Sequence, residues 1–210
     1  MLVLYRDGFW ISPYVFSCFV ALREKNLEFD VKEIALQRRA QKEPAFVAAS
    51  VTGRVPALEH DGFTVAESSA IVEYVDEVFP GQRLLPKDVK RRARARQVMS
   101  WIRSDDTLPI RVERPTHTMF YDRASGPLTE QARATAEKLL AVTDRLLGDG
   151  VEHLFGEWSI ADADLAFMLH RLILNGDDVP ARVRSYAAAQ WKRPSIVEFR
   201  NKPRPAYVAY

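Results

Sequence analysis

The spacing of hydrophobic residues changes once along this chain, and that change limits which folds it can form. Residues 1–80 alternate short strand-like runs with helical segments, whereas residues 89–210 show only helical spacing. A stretch rich in turn residues, 81–88, lies between the two parts. The sequence therefore predicts an α/β domain over residues 1–80, a linker over 81–88 and an all-helical domain over 89–210.

The first part is predicted to contain four strands and three helices. Ser12 and Pro13 suit the N-cap and the first position of a helix that follows the first strand. Asp61-Gly62 favours the two-residue type I′ turn of a β-hairpin. The predicted order of elements is βαβ-α-ββα. The strands are predicted at residues 2–5, 29–36, 57–60 and 63–66, and the helices follow Ser12, lie near 44–49 and follow Ser68.

The second part is predicted to be entirely helical. Ser159 and Asp162 have the spacing of an N-capping box, in which the serine caps the helix and the carboxylate accepts the serine N–H. Such a box supports folding and not catalysis. The four helices are predicted at residues 89–103, 129–147, 160–174 and 179–191.

The composition excludes several classes of function. A formal charge of +2, from 30 basic and 28 acidic residues, lacks the imbalance expected of a protein that binds nucleic acid or an anionic membrane. The basic run 91–96 is interpreted as a solvated helix face. The single cysteine, Cys18, excludes an internal disulfide and fits a reducing compartment such as the cytoplasm. The four histidines show no paired metal-ligand spacing. Neither a secretory leader nor a membrane span is predicted, and no metal is expected.

Two local features could bind charged groups. Ser12-Pro13-Tyr14 stands at a helix start, where backbone N–H groups and the helix dipole favour an anion. Glu67-Ser68 opens another helix, where hydroxyl and N–H groups can bind a carboxylate while Glu67 accepts hydrogen bonds from an ammonium group. On its local pattern alone Ser12-Pro13-Tyr14 favours an ordinary helix cap. A helix cap is also the alternative at Glu67-Ser68, and it is the preferred interpretation for Ser69.

A third feature could hold a peptide by its main chain. In Val55-Pro56 the bond before proline can adopt the cis form at a cost of only about 0.5–1 kcal/mol. A cis bond would turn the backbone of Val55 outward, where it could pair with an extended peptide. From the dipeptide alone, a plain proline turn before a strand is favoured.

Taken together, these features carry a specific resemblance. Ser12-Pro13-Tyr14, Val55-Pro56 and Glu67-Ser68-Ser69, in this order and followed by an all-helical half, resemble the glutathione site of the glutathione transferase superfamily. The capping box is similar to that of a core helix in the family. Residues 91–97, 111–115 and 190–191 also resemble serine-type bacterial members of the YfcF kind. The resemblance implies a thioredoxin-like N-terminal domain followed by an all-α domain, the glutathione transferase fold.

The resemblance also implies roles for individual residues. Ser12 would be the catalytic residue, a hydrogen-bond donor that stabilises the thiolate of glutathione, the cosubstrate. Glutathione would lie along Val55 and Pro56 with its γ-glutamyl end at Glu67 and Ser68. Three basic residues could bind its glycine carboxylate and are not distinguished by the sequence: Arg38, Arg39 and Lys42. Tyr5 is the rival partner for the sulfur and is assigned to the core, and Cys18 is interpreted as a buried small apolar residue.

The implied activity is that of a glutathione transferase acting on small electrophiles, with glutathione-dependent hydroperoxide reduction beside it. Serine in place of cysteine at position 12 argues against mixed-disulfide chemistry. The resemblance implies a homodimer, in which Asp105 or Asp106 could reach a partner's glutathione, although ordinary helix surface is preferred. Alternatives are a non-catalytic glutathione-binding or interaction protein, and a glutathione-dependent isomerase or dehalogenase. The electrophile pocket is expected between the domains, lined by Phe9, Trp10, Trp101, Arg111 and Arg114.

Overall fold

The computed structural model describes residues 1–148 and 150–209, which form two compact units. The first unit comprises Met1–Leu84 together with Pro194–Tyr210, and the second comprises Leu85–Arg193. The boundary between Leu84 and Leu85 falls inside the predicted linker. Within the described part of the chain, no helix is both long enough and apolar enough to cross a membrane.

The first unit confirms the predicted order βαβ-α-ββα. Two 3-10 turns, Leu36–Arg38 and Ala40–Lys42, connect its second strand to its second helix. The elements of the first unit are β1 (Leu2–Asp7), α1 (Pro13–Glu24), β2 (Asp30–Ile34), α2 (Pro44–Ala49), β3 (Ala57–His60), β4 (Phe63–Ala66), α3 (Ser68–Val78) and, near the C-terminus, α9 (Pro194–Arg200).

Local sequence signals account for the ends of these elements. Ser12 caps α1, and its side-chain oxygen accepts the Val15 N–H at 3.3 Å. Beyond the end of α1, Asn26 has a φ of +53°, the left-handed conformation that asparagine tolerates. In the hairpin, Asp61 and Gly62 have φ values of +49° and +88°, as a type I′ turn requires.

The four strands form one sheet in the order β2-β1-β3-β4. β1 runs parallel to β2 and antiparallel to β3, which is antiparallel to β4. In this register Tyr5 lies opposite Ala57, Ala57 lies opposite Ala66, and Asp7 lies opposite Ile34. The C-terminal ends of β1, β2 and β4 therefore meet the start of β3 at one end of the sheet.

The last helix belongs to the first unit, whereas the sequence prediction put residues 89–210 in one C-terminal domain. Helix α1 is buried without interruption from Val15 to Leu22, so it needs apolar partners on more than one side. Phe199 of α9 is fully buried and lies edge-on to Phe16 at 5.2 Å. This packing between α1 and α9 explains why residues 194–210 group with the N-terminal part.

In the second unit, four helices lie close to their predicted positions, and a short helix, α5, adds to them. Helix α7 is buried over most of its length and forms the centre of this unit. Ser159 and Asp162 form the predicted capping box, with the Ser159 N–H donating to Asp162 Oδ2 at 2.9 Å. The helices are α4 (Val89–Trp101), α5 (Leu108–Glu113), α6 (Glu130–Leu147), α7 (Ile160–Asn175) and α8 (Ala181–Gln190).

Candidate functional site

The segments predicted to bind a ligand all adjoin one end of the sheet, the end formed by the last residues of β1, β2 and β4 and the first residue of β3. β1 leads into the loop before Ser12, and β2 leads into the segment that contains Arg39 and Lys42. Val55-Pro56 immediately precedes β3, and Glu67 immediately follows β4. The strand register places the ends of β1, β2 and β4 and the start of β3 at one end of the sheet, so these four segments, far apart in the sequence, all adjoin that end.

Ser12 lies half-buried at the N-terminus of α1. Its Oγ accepts the Val15 N–H, and its carbonyl oxygen accepts the Phe16 N–H at 3.0 Å. A hydroxyl that accepts in this way keeps its own hydrogen as a donor. The first turn of α1 contains no acidic residue, so no carboxylate within it offsets the positive end of the helix dipole. This geometry can therefore donate a hydrogen bond to an anion.

The loop before Ser12 is organised by Asp7, a residue that the sequence analysis did not single out. Its carboxylate is fully buried. Asp7 Oδ2 accepts the N–H groups of Phe9 at 3.1 Å and Ile11 at 3.0 Å, and Oδ1 accepts the Ser12 N–H at 3.2 Å. One side chain thus determines the path of the backbone from β1 to α1.

The same loop holds two of the predicted electrophile-binding residues, Phe9 and Trp10, which are only 2% and 4% exposed. Trp10 has a φ of +53°, an uncommon conformation for a bulky residue. The Arg6 guanidinium lies 4.4 Å from the centroid of the Trp10 ring. Arg204 Nη2 donates to the Trp10 carbonyl oxygen at 3.1 Å. The ring of Tyr207 lies edge-on to Phe9 at 5.3 Å. Both side chains therefore have packing partners within the first unit.

The bond between Val55 and Pro56 is cis, the form that the sequence analysis considered. The preceding loop is closed by Ser50, which is fully buried. Ser50 Oγ donates to the Arg54 carbonyl at 2.9 Å and accepts the Arg54 N–H at 3.3 Å. Ser50 therefore fixes the chain that delivers Val55 to the sheet end, a role that the sequence analysis did not identify.

Glu67 adopts a strained backbone conformation at the start of α3. Its φ of +69° and ψ of 118° are rare for a residue with a side chain, and such conformations cost about 1–3 kcal/mol. The Glu67 side chain forms no cap hydrogen bond to α3, and the residue is exposed. Ser68 beside it is 5% exposed, whereas Ser69 is exposed. Strain of this kind is typical of functional sites.

The three candidate cations, Arg38, Arg39 and Lys42, are all exposed in the segment that follows β2. Arg39 has a φ of +58° between the two 3-10 turns, and Lys42 ends the second turn. Both residues are exposed, and neither forms an ion pair among residues 1–148 and 150–209. The structure does not distinguish them from Arg38, which is also exposed.

Tyr5 and Cys18 lie in the core, as the sequence analysis preferred. Tyr5 is 7% exposed, and its hydroxyl donates to Glu59 Oε2 at 2.7 Å. Burial, together with the neighbouring Glu59 carboxylate, raises the pKa of Tyr5 to about 12. A hydroxyl held in this way is a poor donor to a second anion. Cys18 is fully buried and forms no disulfide.

The other predicted electrophile-binding residues lie in the second unit. Trp101 Nε1 donates to Asp106 Oδ2 at 2.5 Å, and Arg111 Nη2 donates to the Ser104 carbonyl at 2.8 Å. Hydrogen bonds from Lys138 and from Trp101 lower the pKa of Asp106. These contacts give both Trp101 and Arg111 defined partners on the surface of the helical unit.

Arg114 is 3% exposed and forms a bidentate ion pair with Asp177, with both hydrogen bonds at 2.7 Å. The hydrogen bond to Asp177 raises the pKa of Arg114 above its ordinary value. Asp177 also lines a cavity of about 750 Å³ in this unit, whereas Trp101, Arg111 and Arg114 do not. Residues that line this cavity include Leu128, Arg133, Glu137, Leu140, Asp178 and Pro180.

Three residues that hold the site together escaped the sequence analysis: Asp7, Ser50 and Arg204. For Asp7 a signal existed, because aspartate after a strand and before glycine often accepts its own backbone N–H groups in a turn. Arg204 had none, since its contact with Trp10 joins residues at opposite ends of the chain. Among the residues that the structure describes, no group of three or more histidine, cysteine or acidic side chains could hold a metal ion.

Comparison with known proteins places this arrangement in a family. The profile of the glutathione S-transferase N-terminal domain matches residues 11–78, and the profile of the glutathione S-transferase C-terminal domain matches residues 88–202. A glutathione transferase homologue from Burkholderia, strain BGR1, solved with bound glutathione, is 42% identical with a TM-score of 0.78. Its alignment covers 94% of this chain and 95% of the Burkholderia chain.

Two further relatives agree. Maleylacetoacetate isomerase from Methylobacterium extorquens, solved with bound malonate and glutathione, is 25% identical with a TM-score of 0.74, over 97% of this chain and all of its own. Glutathione S-transferase U22 of Arabidopsis thaliana is 31% identical over 160 residues, 75% of this chain and 67% of its own. The chain spans about two thirds of the length of such plant relatives. It belongs to the glutathione S-transferase family.

Proposed function

We propose that this protein is a glutathione transferase that binds glutathione at the end of the sheet where Ser12, Val55 and Glu67 meet. The sulfur lies at Ser12, the cysteinyl main chain runs along Val55 and Pro56, and the γ-glutamyl end lies at Glu67 and Ser68. The observation that carries this proposal is the strand register, which brings three separate segments to one end of the sheet. The Burkholderia relative, solved with glutathione, supports it.

The chemistry follows from the position of Ser12. A free thiol has a pKa near 8.5, and a helix N-terminus can lower that value to about 7.5 or less. The Ser12 hydroxyl adds a hydrogen bond to the charged form, so that the thiolate of glutathione predominates near neutral pH. This thiolate attacks an electrophilic carbon, forms a C–S bond and either displaces a leaving group with its electron pair or adds to a double bond that then takes a proton.

Hydroperoxide reduction is the second activity of the proposal. The thiolate attacks the distal oxygen of the hydroperoxide, the O–O bond breaks, and the departing alkoxide takes a proton to form an alcohol. A second glutathione then attacks the resulting sulfenic acid, which gives glutathione disulfide and water. Ser12 itself forms no covalent bond in either reaction.

The proposal extends to three further points. Arg39 or Lys42 binds the glycine carboxylate, because both are exposed cations next to the sheet end. The protein forms a homodimer, which light scattering would test. It acts in the cytoplasm, in keeping with its single cysteine, Cys18. The residues that bind the electrophile stay a prediction.

The substitution Ser12→Ala tests the role of the hydroxyl. We expect kcat with a chloronitrobenzene and with cumene hydroperoxide to fall at least about tenfold, which corresponds to 1.4 kcal/mol. The affinity for glutathione, measured by calorimetry, should change less than about threefold because the peptide contacts remain. Ser185→Ala, at an exposed serine of α8, is the matched control. An unchanged kcat in Ser12→Ala would contradict the assignment.

A second candidate activity is glutathione-dependent cis-trans isomerisation. The similarity to the Methylobacterium maleylacetoacetate isomerase favours it. An isomerase adds the thiolate to a double bond and releases it again, so it consumes no glutathione. Following an unsaturated diketo acid and glutathione in the same assay separates the two activities. Retention on glutathione-agarose without turnover of any of these substrates would instead indicate a non-catalytic binding protein.

A further inference from the structure

We propose that Asp7 is a positioning residue for Ser12, and that it acts by holding the loop of residues 8–11, which Arg204 also supports through the Trp10 carbonyl. The inference rests on the proposed function of Ser12 as the donor to the glutathione thiolate. Asp7 touches neither glutathione nor the electrophile in this proposal. It determines where the Ser12 hydroxyl stands.

The first argument is the convergence of three backbone donors on one buried carboxylate. The N–H groups of Phe9, Ile11 and Ser12 lie 3.0–3.2 Å from the Asp7 oxygens. Asp7 is the last residue of β1 and pairs with Ile34 in the sheet, so its own backbone is held by the strands. A residue fixed in the sheet therefore sets the position of Ser12, the N-cap of the next helix.

The second argument is that aspartate alone among similar residues can make all three bonds. Its two oxygens both accept, with Oδ2 taking two N–H groups and Oδ1 taking that of Ser12. Asparagine has one acceptor oxygen, and its amide hydrogens would face an N–H group on the other side. Glutamate is one methylene longer at a position with no exposed surface.

The third argument is that the loop needs support. Trp10 holds a left-handed conformation that costs about 1–3 kcal/mol and persists only when its surroundings enforce it. Its ring lies between aromatic neighbours, edge-on to Phe19 at 5.6 Å and to Phe199 at 5.7 Å. Arg204 Nη2 donates both to the Trp10 carbonyl and to that of Phe199. Asp7 and Arg204 thus hold the loop at two separate points.

Several charged groups lie around the loop, besides Asp7. Arg6 and Lys202 lie 4.4 Å and 5.6 Å from the Trp10 ring centroid, and Arg204 contacts its carbonyl. On the β2 side, the Glu33 carboxylate lies next to Gly8. If Gly8 carried a Cβ, that atom would be 3.0 Å from Glu33 Oε1. Asp7 itself is negative. Removing its charge alone would make the site more positive and lower the thiol pKa, whereas displacing Ser12 would raise it.

These opposite signs give the experiment. The pH profile of kcat/KM for a chloronitrobenzene, measured at saturating glutathione, reports the pKa of the bound thiol, and the ultraviolet absorbance of bound thiolate reports it directly. For Asp7→Asn we expect the profile to move to higher pH, with kcat/KM about tenfold lower near pH 6.5 and a smaller loss near pH 9. Arg204→Ala should move it in the same direction by about twofold to threefold near pH 6.5.

Asp76→Asn is the matched control. Asp76 is another buried carboxylate of the first unit that accepts a backbone N–H, that of Leu84 at 2.9 Å, and its variant should keep the wild-type profile. An unshifted profile in folded Asp7→Asn, or a shift to lower pH, overturns the proposal. Should Asp7→Asn not fold, an unshifted profile in Arg204→Ala overturns it.

Ser12→Ala, measured in parallel, separates this inference from the function on which it rests. If Ser12→Ala shifts the profile upward and Asp7→Asn does not, only the role of Asp7 fails. If Ser12→Ala leaves the profile unchanged, the proposed function fails, and the role of Asp7 fails with it.

Discussion

Helices α1 and α7 both have a serine as N-cap, but the two serines have different surroundings. Ser159 is fully buried, and its N–H and hydroxyl both donate to Asp162 in the first turn of its own helix. Ser12 is half-buried, the first turn of α1 contains no acidic residue, and the carboxylate that accepts its N–H belongs to the preceding strand. The start of α7 is satisfied within the helix, whereas the start of α1 keeps a donor for something outside it.

The two serine caps differ in whether their own first turn supplies a carboxylate. An acidic residue there would satisfy the serine and offset the helix dipole, as Asp162 does in α7. In α1 the equivalent charge lies beneath the loop, where Asp7 orients Ser12 without accepting its hydroxyl hydrogen. The same residue type at the same helix position can therefore support folding or chemistry.

The largest effect is expected from breaking the closed start of α7. Asp162 accepts hydrogen bonds from Leu154, Ser159 and Tyr186, and it is fully buried. Asp162→Ala leaves these buried donors unsatisfied, so the free energy of unfolding should fall by about 3 kcal/mol or more. Urea unfolding measures this loss, and the glutathione affinity of the folded fraction should stay within about twofold. A loss below about 1 kcal/mol would contradict the importance of the box.

A cysteine scan sharpens the contrast between the two helix starts. A thiol at a half-buried helix N-terminus has a lowered pKa and reacts as the thiolate, whereas a fully buried thiol is inert. We expect Ser12→Cys to react with a chromogenic disulfide at least about 100-fold faster than Ser159→Cys. The wild type supplies the baseline because its only cysteine, Cys18, is fully buried. Equal rates at the two positions would show that the helix starts do not differ.

The smallest effect is expected from removing only the serine hydroxyl of α7. Ser159→Ala should lower the free energy of unfolding by about 1 kcal/mol, the usual value for an N-cap, and leave kcat within about twofold. Ser12→Ala should have a similar effect on stability but lower kcat at least about tenfold. A comparable loss of kcat in both variants would remove the distinction between a structural and a functional cap. Urea unfolding and turnover are measured on the same preparations.

Much of the fold could be predicted because its signals are local. The start of α1 at Ser12 and Pro13, the Asp61-Gly62 turn and the Ser159–Asp162 box each depend on residues a few positions apart, and the structure confirms all three. The roles of Ser12, Val55 and Glu67 came from resemblance. The structure places the segments that carry these residues at one end of the sheet. Their binding of glutathione stays a proposal.

The features that could not be predicted depend on residues far apart in the chain. The sequence around Asp7 does not single it out, because aspartate before glycine is common in turns. Only the structure shows that three backbone N–H groups donate to its carboxylate. Nothing near Trp10 in sequence indicates that Arg204 donates to its carbonyl. The strain at Glu67 likewise has no signature in its own sequence, because backbone conformations of this kind are imposed by the surrounding structure.

Local patterns therefore specify the strands, helices, caps and turns of this protein, since each depends on backbone hydrogen bonds between near neighbours. The placement of α9 against α1, the end of the sheet at which the candidate site forms and the support of the Ser12 loop were settled by packing. Burial of Phe199 and the pairing of Tyr5 with Ala57 join segments that are distant in sequence. Hydrophobic burial depends on how much apolar surface is removed from water and not on the separation of the residues in the sequence. Only the folded molecule therefore shows which distant residues contact each other.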